Sequence, residues 1–295
     1  MAGEAGGLAA TAPQRIAFRP PRAPGLVMVL PLLLYLFVLY AVPVAGMMLR
    51  SVAEPHWTLA NFAALLDNPI YGLVLWITLR ISLVVTIAVL LLGYPVAYLL
   101  ARLPTSRSNL LVILVLLPFW SSILVRSYAW MVLLGRTGII NQLLQWSGLI
   151  DAPLRLLNTT FAVYVAMVHV LLPFMILPLY ATLRGIDESL LRAGASLGAT
   201  PAGVFRQIVL PLSLPGVSAG CLLVFILALG FYITPALVGS PRDLMMAILI
   251  QQQIDLFNWP LGSALGVVLL VAALGTFAVF TRVLRVEQTF GRARS

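Results

Sequence analysis

Long runs of apolar residues alternate with short polar segments along most of the chain. Six runs are long enough for a helix to cross the hydrocarbon core of a bilayer, which needs about 20 residues. The predicted spans are residues 26–49, 73–101, 110–134, 159–183, 214–239 and 263–281. None of these spans contains Asp or Glu. The pattern predicts an all-α polytopic membrane protein with six transmembrane helices.

The length of the first apolar run indicates a membrane anchor and not a cleaved signal peptide. It is much longer than the roughly 7–15 residues of a signal-peptide core, so we expect an uncleaved span. Residues 1–25 before it are rich in Gly, Ala, Pro and Arg, which is typical of a disordered tail. The chain is therefore predicted to consist of this tail, a transmembrane domain at 26–284 and a short tail at 285–295.

The composition supports the membrane assignment and limits the chemistry of the chain. Hydrophobic residues make up 61% and charged residues only 9%, whereas soluble domains carry about 25% charge. All 18 basic residues are arginines, so the chain lacks the lysine that a Walker A phosphate loop requires. These arginines are scattered at the ends of apolar runs, which argues against a nucleic-acid-binding face. The single cysteine, Cys221, excludes an intramolecular disulfide.

The arginines also predict the orientation, because loops on the cytoplasmic side of a membrane are enriched in basic residues. With the N-terminus inside, twelve arginines lie on the cytoplasmic side and six on the other side. The twelve are Arg15, Arg19, Arg22, Arg102, Arg107, Arg184, Arg192, Arg206, Arg282, Arg285, Arg292 and Arg294. Both termini are therefore predicted to be cytoplasmic, in a multi-pass protein of the cell inner membrane.

Two ionisable residues in the predicted spans, Arg126 and His169, are candidates for lining a transport pathway. Arg80 and Arg126 both lie near span ends, where a long side chain can reach the membrane interface, so both are interpreted as interfacial anchors, with a pathway role as the alternative for Arg126. His169 lies within the fourth span and could contact a solute or relay a proton. The simpler interpretation of His169 is a hydrogen bond between two helices.

Two other patterns suggest chemistry that the rest of the sequence does not support. Ser218 lies in Gly-Val-Ser-Ala-Gly, which matches the nucleophile turn of hydrolases, but no His or acid accompanies it in a strand-to-helix context. The flanking Gly216 and Gly220 instead predict close helix packing, as do Gly262 and Gly266. With only two histidines in the chain, no metal site is predicted either.

Asp243 and Asp255 lie in the last predicted outer loop. They either help to dock a soluble binding protein or are solvated loop charges.

The segment at 184–213 is too polar to enter lipid and too regularly patterned to be a simple linker. Asp187 is a plausible N-cap, and Gly198 suits the left-handed position that ends a helix. Thr200-Pro201 then predicts a second helix start, with Val204, Phe205 and Ile208 on its inner face and Pro211 ending it. The spacing predicts a helix–turn–helix elbow, with Leu190, Ala193, Gly194 and Leu197 on one face of its first helix.

This segment resembles the EAA loop of binding-protein-dependent ABC importer permeases. The family pattern is Glu-Ala-Ala, three residues, Gly, nine residues, Ile, one residue and Leu-Pro, and it matches here at Ala193, Gly198, Ile208, Leu210 and Pro211. Arg192 replaces the usual Glu and Gly194 the second Ala. From about residue 70 onward, "GYPVAYLLAR", "LPFWSSILVRSYAWMVLLG" and "LLPFMILPLYATL" are similar to the spermidine/putrescine group of the same family.

The resemblance implies a type I importer permease and the partners of such a permease. These are an ABC ATPase dimer, a second permease that is a paralogue, and a periplasmic or extracellular solute-binding protein. The implied solute is a polyamine such as spermidine or putrescine, or a related small organic solute. ATP would bind to the partner subunit, so no cofactor is expected on this chain.

The resemblance also implies which residues contact the ATPase. The implied coupling residues are Leu190, Leu191, Arg192, Ala193, Gly194, Leu197, Gly198, Ala199, Ile208, Leu210 and Pro211.

Two other function classes fit the sequence less well. An ion-coupled secondary transporter normally places carboxylates at mid-membrane, and the predicted spans have none. An intramembrane enzyme needs a convergent set of acid, base and nucleophile or metal ligands, which one histidine does not supply.

Overall fold

The computed structural model describes residues 23–54 and 56–292, and side chains between residues 28 and 282 apart from Pro55. This part of the chain is helical and contains no β-strand. Its α-helices are α1 Ala23–Leu36, α2 Val42–Ala53, α3 Ala60–Asp67, α4 Pro69–Arg102, α5 Thr105–Leu116, α6 Ile123–Leu134, α7 Ile139–Trp146, α8 Thr160–Arg184, α9 Glu188–Ser196, α10 Pro201–Val204, α11 Leu210–Leu229, α12 Ile233–Val238, α13 Met246–Asp255 and α14 Trp259–Arg292.

Six helical segments within the described residues are long and apolar enough to cross a membrane, which confirms the predicted number. They are Met28–Ala53, Pro69–Arg102, Ile123–Trp146, Thr160–Arg184, Pro201–Leu229 and Trp259–Arg282. The predicted tails lie largely outside the described residues, and the orientation of the helices stays a prediction. The chain divides after Met47 into two compact units, and every helix from α3 onward belongs to the second unit.

The predicted third span is wrong as a continuous helix. The apolar run consists of α5, a 3-10 turn at Leu117–Trp120, an extended residue at Ser121, and α6. Pro118 removes a backbone donor from the helical ladder, and the side chain of Ser122 accepts a hydrogen bond from the Leu124 backbone N–H to start α6. The sequence therefore encodes a helix break inside the apolar run.

The predicted fifth span is also wrong at both ends. Pro211 does not end the second helix of the elbow, because the chain remains helical from Pro201 to Leu229. The turn before the proline widens into a π-helix at Phe205–Val209, which accommodates the missing N–H and the bulk of the ring. At the other end α11 stops at Leu229, and the non-helical residues at 230–232 precede the short helix α12.

The core of the second unit is the contact between α4, α8 and α11. Met175 of α8 is fully buried between two glycines: a Cβ on Gly93 of α4 would lie 3.2 Å from its Cγ, and one on Gly220 of α11 would lie 2.6 Å from its Sδ. A Cβ on Gly216 would lie 2.6 Å from the Oγ1 of Thr182. The predicted close packing at Gly216 and Gly220 is therefore confirmed.

The corresponding prediction of close packing at Gly262 and Gly266 stays a prediction, because no tight approach is seen at either residue within the described part of the chain. A Cβ on Gly262 would meet Ile254 and Gln253 only at ordinary contact distance, and one on Gly266 would have no described atom within 4 Å. The hydroxyl of Ser218 donates a hydrogen bond to the Pro215 carbonyl of its own helix at 2.8 Å. This is a local helix contact and not the arrangement of a catalytic serine. The described residues contain no cluster of potential metal ligands.

Candidate functional site

The elbow at 184–213 begins with α9, whose ends have the predicted local chemistry. The side chain of Asp187 accepts a hydrogen bond from the Ser189 backbone N–H at 2.8 Å. Hydrogen bonds from Ser189 lower the pKa of Asp187, and the nearby charge of Arg192 acts in the same direction. Gly198 ends the helix with a φ of +86°, the left-handed conformation that a glycine adopts without steric cost. Both predicted caps are confirmed.

The second helix of the elbow also begins where the sequence predicts. The side chain of Thr200 accepts a hydrogen bond from the Gly203 backbone N–H at 3.2 Å, and Pro201 occupies the first turn. Phe205 then inserts between Tyr94 and Tyr98 of α4, with edge-to-face ring distances of 5.9 and 5.6 Å. These aromatic contacts attach the elbow to the core helix α4.

The two faces of α9 differ in their surroundings. Leu191 and Gly194 are half-buried, and a Cβ on Gly194 would lie 2.7 Å from Cδ1 of Ile208, so Gly194 faces the second helix of the elbow. Leu190 is 47% exposed and Leu197 is 89% exposed. The sequence grouped Gly194 with these leucines, whereas the structure places Gly194 at the inner edge and leaves the two leucines on the surface.

The remaining implied coupling residues divide in the same way. Ala199 and Ile208 are half-buried. The exposed ones are Arg192, Ala193, Gly198, Leu210 and Pro211. Leu190 and Ala193 of α9 and Leu197, which directly follows α9, therefore form an exposed apolar surface. We call these three residues the outer face of the elbow.

Arg184, the last residue of α8, attaches the base of the elbow to a second part of the molecule. Its guanidinium donates to the carbonyl oxygens of Ala101 and Leu103 at 3.1 and 2.9 Å, and to Oγ1 of Thr105 at 2.7 Å. The linker between α4 and α5 is thereby bound to the start of the elbow. The sequence identifies Arg184 only as an orientation signal, because its partners lie about 80 residues away.

A second candidate site lies where the two helix breaks meet. The helices that follow the two breaks, α6 and α12, are joined by a hydrogen bond of 2.9 Å between the hydroxyls of Ser127 and Thr234. Beside them is a cavity of about 160 Å³, lined by Phe119, Ile123, Arg126, Val170, Leu171, Phe174, Leu227 and Phe231. Broken helices at membrane depth commonly line solute sites in transporters, since irregular backbone is tolerated beside a cavity.

The structure places the two predicted pathway residues close to each other but in different environments. Arg126 lines the cavity, and its Nε is buried without a hydrogen-bond partner among the described residues. His169 is half-buried and accepts a hydrogen bond from the indole N–H of Trp130 at 3.2 Å. This contact joins α8 to α6 and confirms the interhelical hydrogen bond expected for His169. Whether either residue contacts solute stays a prediction.

Asp243 differs from both interpretations that the sequence allowed. It is 1% exposed, and its carboxylate accepts hydrogen bonds from the hydroxyl of Thr160 and from the backbone N–H and hydroxyl of Ser240. Asp243 therefore holds the loop after α12 against the start of α8, which makes it a structural carboxylate. Asp255, by contrast, is exposed and accepts a hydrogen bond from Gln251.

Comparison with known proteins identifies the family. Residues 22–284 match the family described as binding-protein-dependent transport system inner membrane component. The spermidine/putrescine transport system permease protein PotB of Escherichia coli (strain K12) is 39% identical over 222 residues, which cover 75% of this chain and 80% of that protein. PotB of Haemophilus influenzae is 41% identical over 220 residues, covering 74% and 77%.

A solved structure has the same fold. A chain in the crystal structure of a bacterial alginate ABC transporter, in complex with an alginate pentasaccharide-bound periplasmic protein, superimposes with a TM-score of 0.71. The match covers 86% of this chain and 91% of that chain at 17% identity. The chain belongs to the family of binding-protein-dependent transport system inner membrane components, as a multi-pass permease subunit of an ABC importer and not an enzyme.

Proposed function

We propose that this permease pairs with a second, paralogous permease to form the translocation path for a small solute. The solute is a polyamine such as spermidine or putrescine, or a related small organic solute. The names of the PotB relatives support the polyamine class. A periplasmic or extracellular binding protein delivers the solute on the outer side, and exposed Asp255 is a candidate contact for it.

The elbow docks onto an ABC ATPase dimer in the cytoplasm, and both chain termini lie on that side of the membrane. The observation that carries this proposal is the outer face of the elbow, where Leu190 and Leu197 leave apolar surface uncovered on a polar segment. An exposed apolar patch bordered by polar residues is typical of a protein interface. ATP binds only to the partner subunits, and this chain binds no cofactor.

The elbow can transmit movement because it is attached firmly at its base and free at its outer face. Phe205 is held between two tyrosines of α4, and Arg184 binds the linker that follows α4. A displacement of the outer face by closing ATPase subunits would therefore move α4 and the linker to α5 together. The two helix breaks beside the cavity are the places where such a movement can be absorbed.

An ion-coupled secondary transporter was the alternative function class, and membership of the ABC importer permease family argues against it. The six membrane-length helices in the described residues contain no Asp or Glu, which disfavours it.

Reconstitution with and without the ATPase subunits tests the proposal. Proteoliposomes that contain both permeases, the ATPase dimer and the binding protein should take up labelled solute only with internal ATP. Uptake at the same rate without the ATPase, driven by an ion gradient, would support the secondary-transporter alternative instead.

A further inference from the structure

The short helix α7 leaves an apolar side uncovered just beyond the end of α6. Ile139, Leu143 and Trp146 are all exposed, and Trp146 is 87% exposed. Their spacing of four and three residues places them on one side of the helix, and we call these three residues the apolar stripe of α7. An apolar stripe of this kind is stabilised when a protein partner or lipid covers it.

Contacts with the rest of the protein fix the position of α7. The membrane-length segment Ile123–Trp146 turns sharply between α6 and α7 at Gly138, where a Cβ would overlap carbonyl oxygens in the last turn of α6. Asn141 of α7 is fully buried, and its side-chain amide donates to the carbonyl oxygens of Gly135 and Leu154, each at 3.0 Å. Its side-chain oxygen accepts from the Leu154 backbone N–H at 2.9 Å. Since a helix of eight residues is not stable alone, these contacts determine where the apolar stripe lies.

The remaining residues of α7 form a protein-facing side and a polar side. Ile140 and Leu144 are half-buried on the same side as Asn141. Gln142 and Gln145 are exposed and lie on a third side, because successive residues of an α-helix are about 100° apart. The helix therefore has one side for protein, one apolar side and one polar side. This arrangement fits a helix that lies at the boundary between lipid and water.

The charges beside α7 favour phospholipid over a protein partner. Arg136 in the turn before α7 and Arg155 after it are exposed, and neither forms an ion pair among the described residues. Asp151 is the only acidic residue between positions 135 and 157, so this segment has a net positive charge. Guanidinium groups bind headgroup phosphates, and Trp146 is of a residue type that is enriched at headgroup level. The apolar run before α7 ends at Leu134, so α7 begins close to where the chain leaves the hydrocarbon.

We infer that α7 is an amphipathic anchor in the membrane–water interface, with its apolar stripe inserted among phospholipid acyl chains and its two glutamines facing water. The inference goes beyond the proposed function and depends neither on the solute nor on the ATPase. Because Asn141 binds Gly135, the residue that ends α6, contact with lipid holds that end of α6 at a fixed depth in the membrane. The second permease and the solute-binding protein are the rival occupants of the apolar stripe.

Spin labels on single cysteines distinguish lipid, water and protein around α7. Leu143→Cys places a nitroxide on the apolar stripe, and Gln145→Cys places the matched control on the polar side, each in a Cys221→Ser background. Ile139→Cys provides a second position on the stripe. The complete transporter is reconstituted into vesicles of phosphatidylethanolamine and phosphatidylglycerol. Power-saturation EPR then compares collisions of each nitroxide with oxygen, which partitions into lipid, and with a water-soluble nickel chelate.

The ratio of oxygen to nickel collisions is expected to be at least about threefold higher at positions 139 and 143 than at position 145, because an interfacial helix buries its apolar side about 5–10 Å into the headgroup and acyl boundary. Equal ratios at the three positions would place the stripe in water and overturn the inference. Low accessibility to both reagents on the stripe would also overturn it, because the second permease would then cover these residues. A loss of oxygen accessibility on addition of saturating binding protein would assign the stripe to that protein instead.

Discussion

Replacing Arg184 tests whether the elbow and the α4–α5 linker move as one body. Arg184→Met keeps most of the side-chain volume but removes the donors to Ala101, Leu103 and Thr105. Arg184→Lys keeps the charge but not the planar fork that reaches several acceptors at once. Arg107→Met is the matched control, because Arg107 is an exposed arginine of the neighbouring helix α5.

The size of the effect depends on the three contacts. The net contribution of one hydrogen bond to stability is about 0.5–1.5 kcal/mol. Because Arg184 is exposed, each of its three hydrogen bonds lies near the lower end of that range. Loss of all three therefore weakens the attachment of the linker by about 1–2 kcal/mol, which raises the detached population about 5- to 30-fold. Insertion and folding of the protein should survive, because the bonds lie outside the α4–α8–α11 core.

The assay is the number of ATP molecules hydrolysed per solute imported by the reconstituted transporter. Arg184→Met is expected to raise this ratio several-fold, Arg184→Lys to give an intermediate value, and Arg107→Met to match the wild type. A purely structural role would lower the yield of protein without changing the ratio. An Arg184→Met transporter with the wild-type ratio would show that the linker and the elbow need not move together.

Three further substitutions have clear expected outcomes. Gly198→Val should abolish uptake while membrane insertion is unchanged, because the left-handed conformation of residue 198 costs a β-branched residue about 1–2 kcal/mol or more. Gly198→Asn, which tolerates that conformation, should retain uptake. Equal uptake by both variants would contradict a required left-handed turn at this position. Gly216→Ala should lower the midpoint of thermal unfolding in detergent, because the added Cβ would lie 2.6 Å from Thr182. Gly275→Ala is the control and should leave the midpoint unchanged, because its Cβ would have no described atom within 4 Å. Equal midpoints for the two variants would show that α8 and α11 are not closely packed. Asp243→Asn should destabilise the protein by about 1–3 kcal/mol in the same assay, because the buried hydroxyl donors lose their anionic acceptor. Asp255→Asn is the control, since Asp255 is exposed. A smaller loss of stability for Asp243→Asn than for Asp255→Asn would contradict the structural role of Asp243.

Local chemistry made part of this structure predictable. The caps at Asp187 and Thr200 and the left-handed turn at Gly198 depend on residues within three positions of one another, so the sequence determines them directly. The number of spans was also predictable, because it depends on apolar length alone. Likewise, the close approach of Gly216 and Gly220 to α8 is expected from small residues spaced four apart.

Interactions between distant residues made the rest unpredictable. Proline ordinarily ends a helix, yet a π-helical turn accommodates Pro211 inside one. Asp243 lies in a polar segment, and only the fold brings Thr160, 83 positions away, close enough to bury it. The break at Ser121 and Ser122 did have a local signal, since Pro118 precedes two serines, but the surrounding apolar run concealed it.

Docking of the elbow onto a separate ATPase can be measured by crosslinking at its outer face. Leu197 is 89% exposed, so Leu197→Cys in the Cys221→Ser background presents a single reactive thiol at the tip of α9. A short thiol-to-amine crosslinker is expected to join this position to the ATPase subunit in membranes, with a yield that changes when ATP is added. A thiol that forms no such adduct, or that a membrane-impermeant reagent labels from outside intact cells, would contradict a cytoplasmic elbow that binds the ATPase.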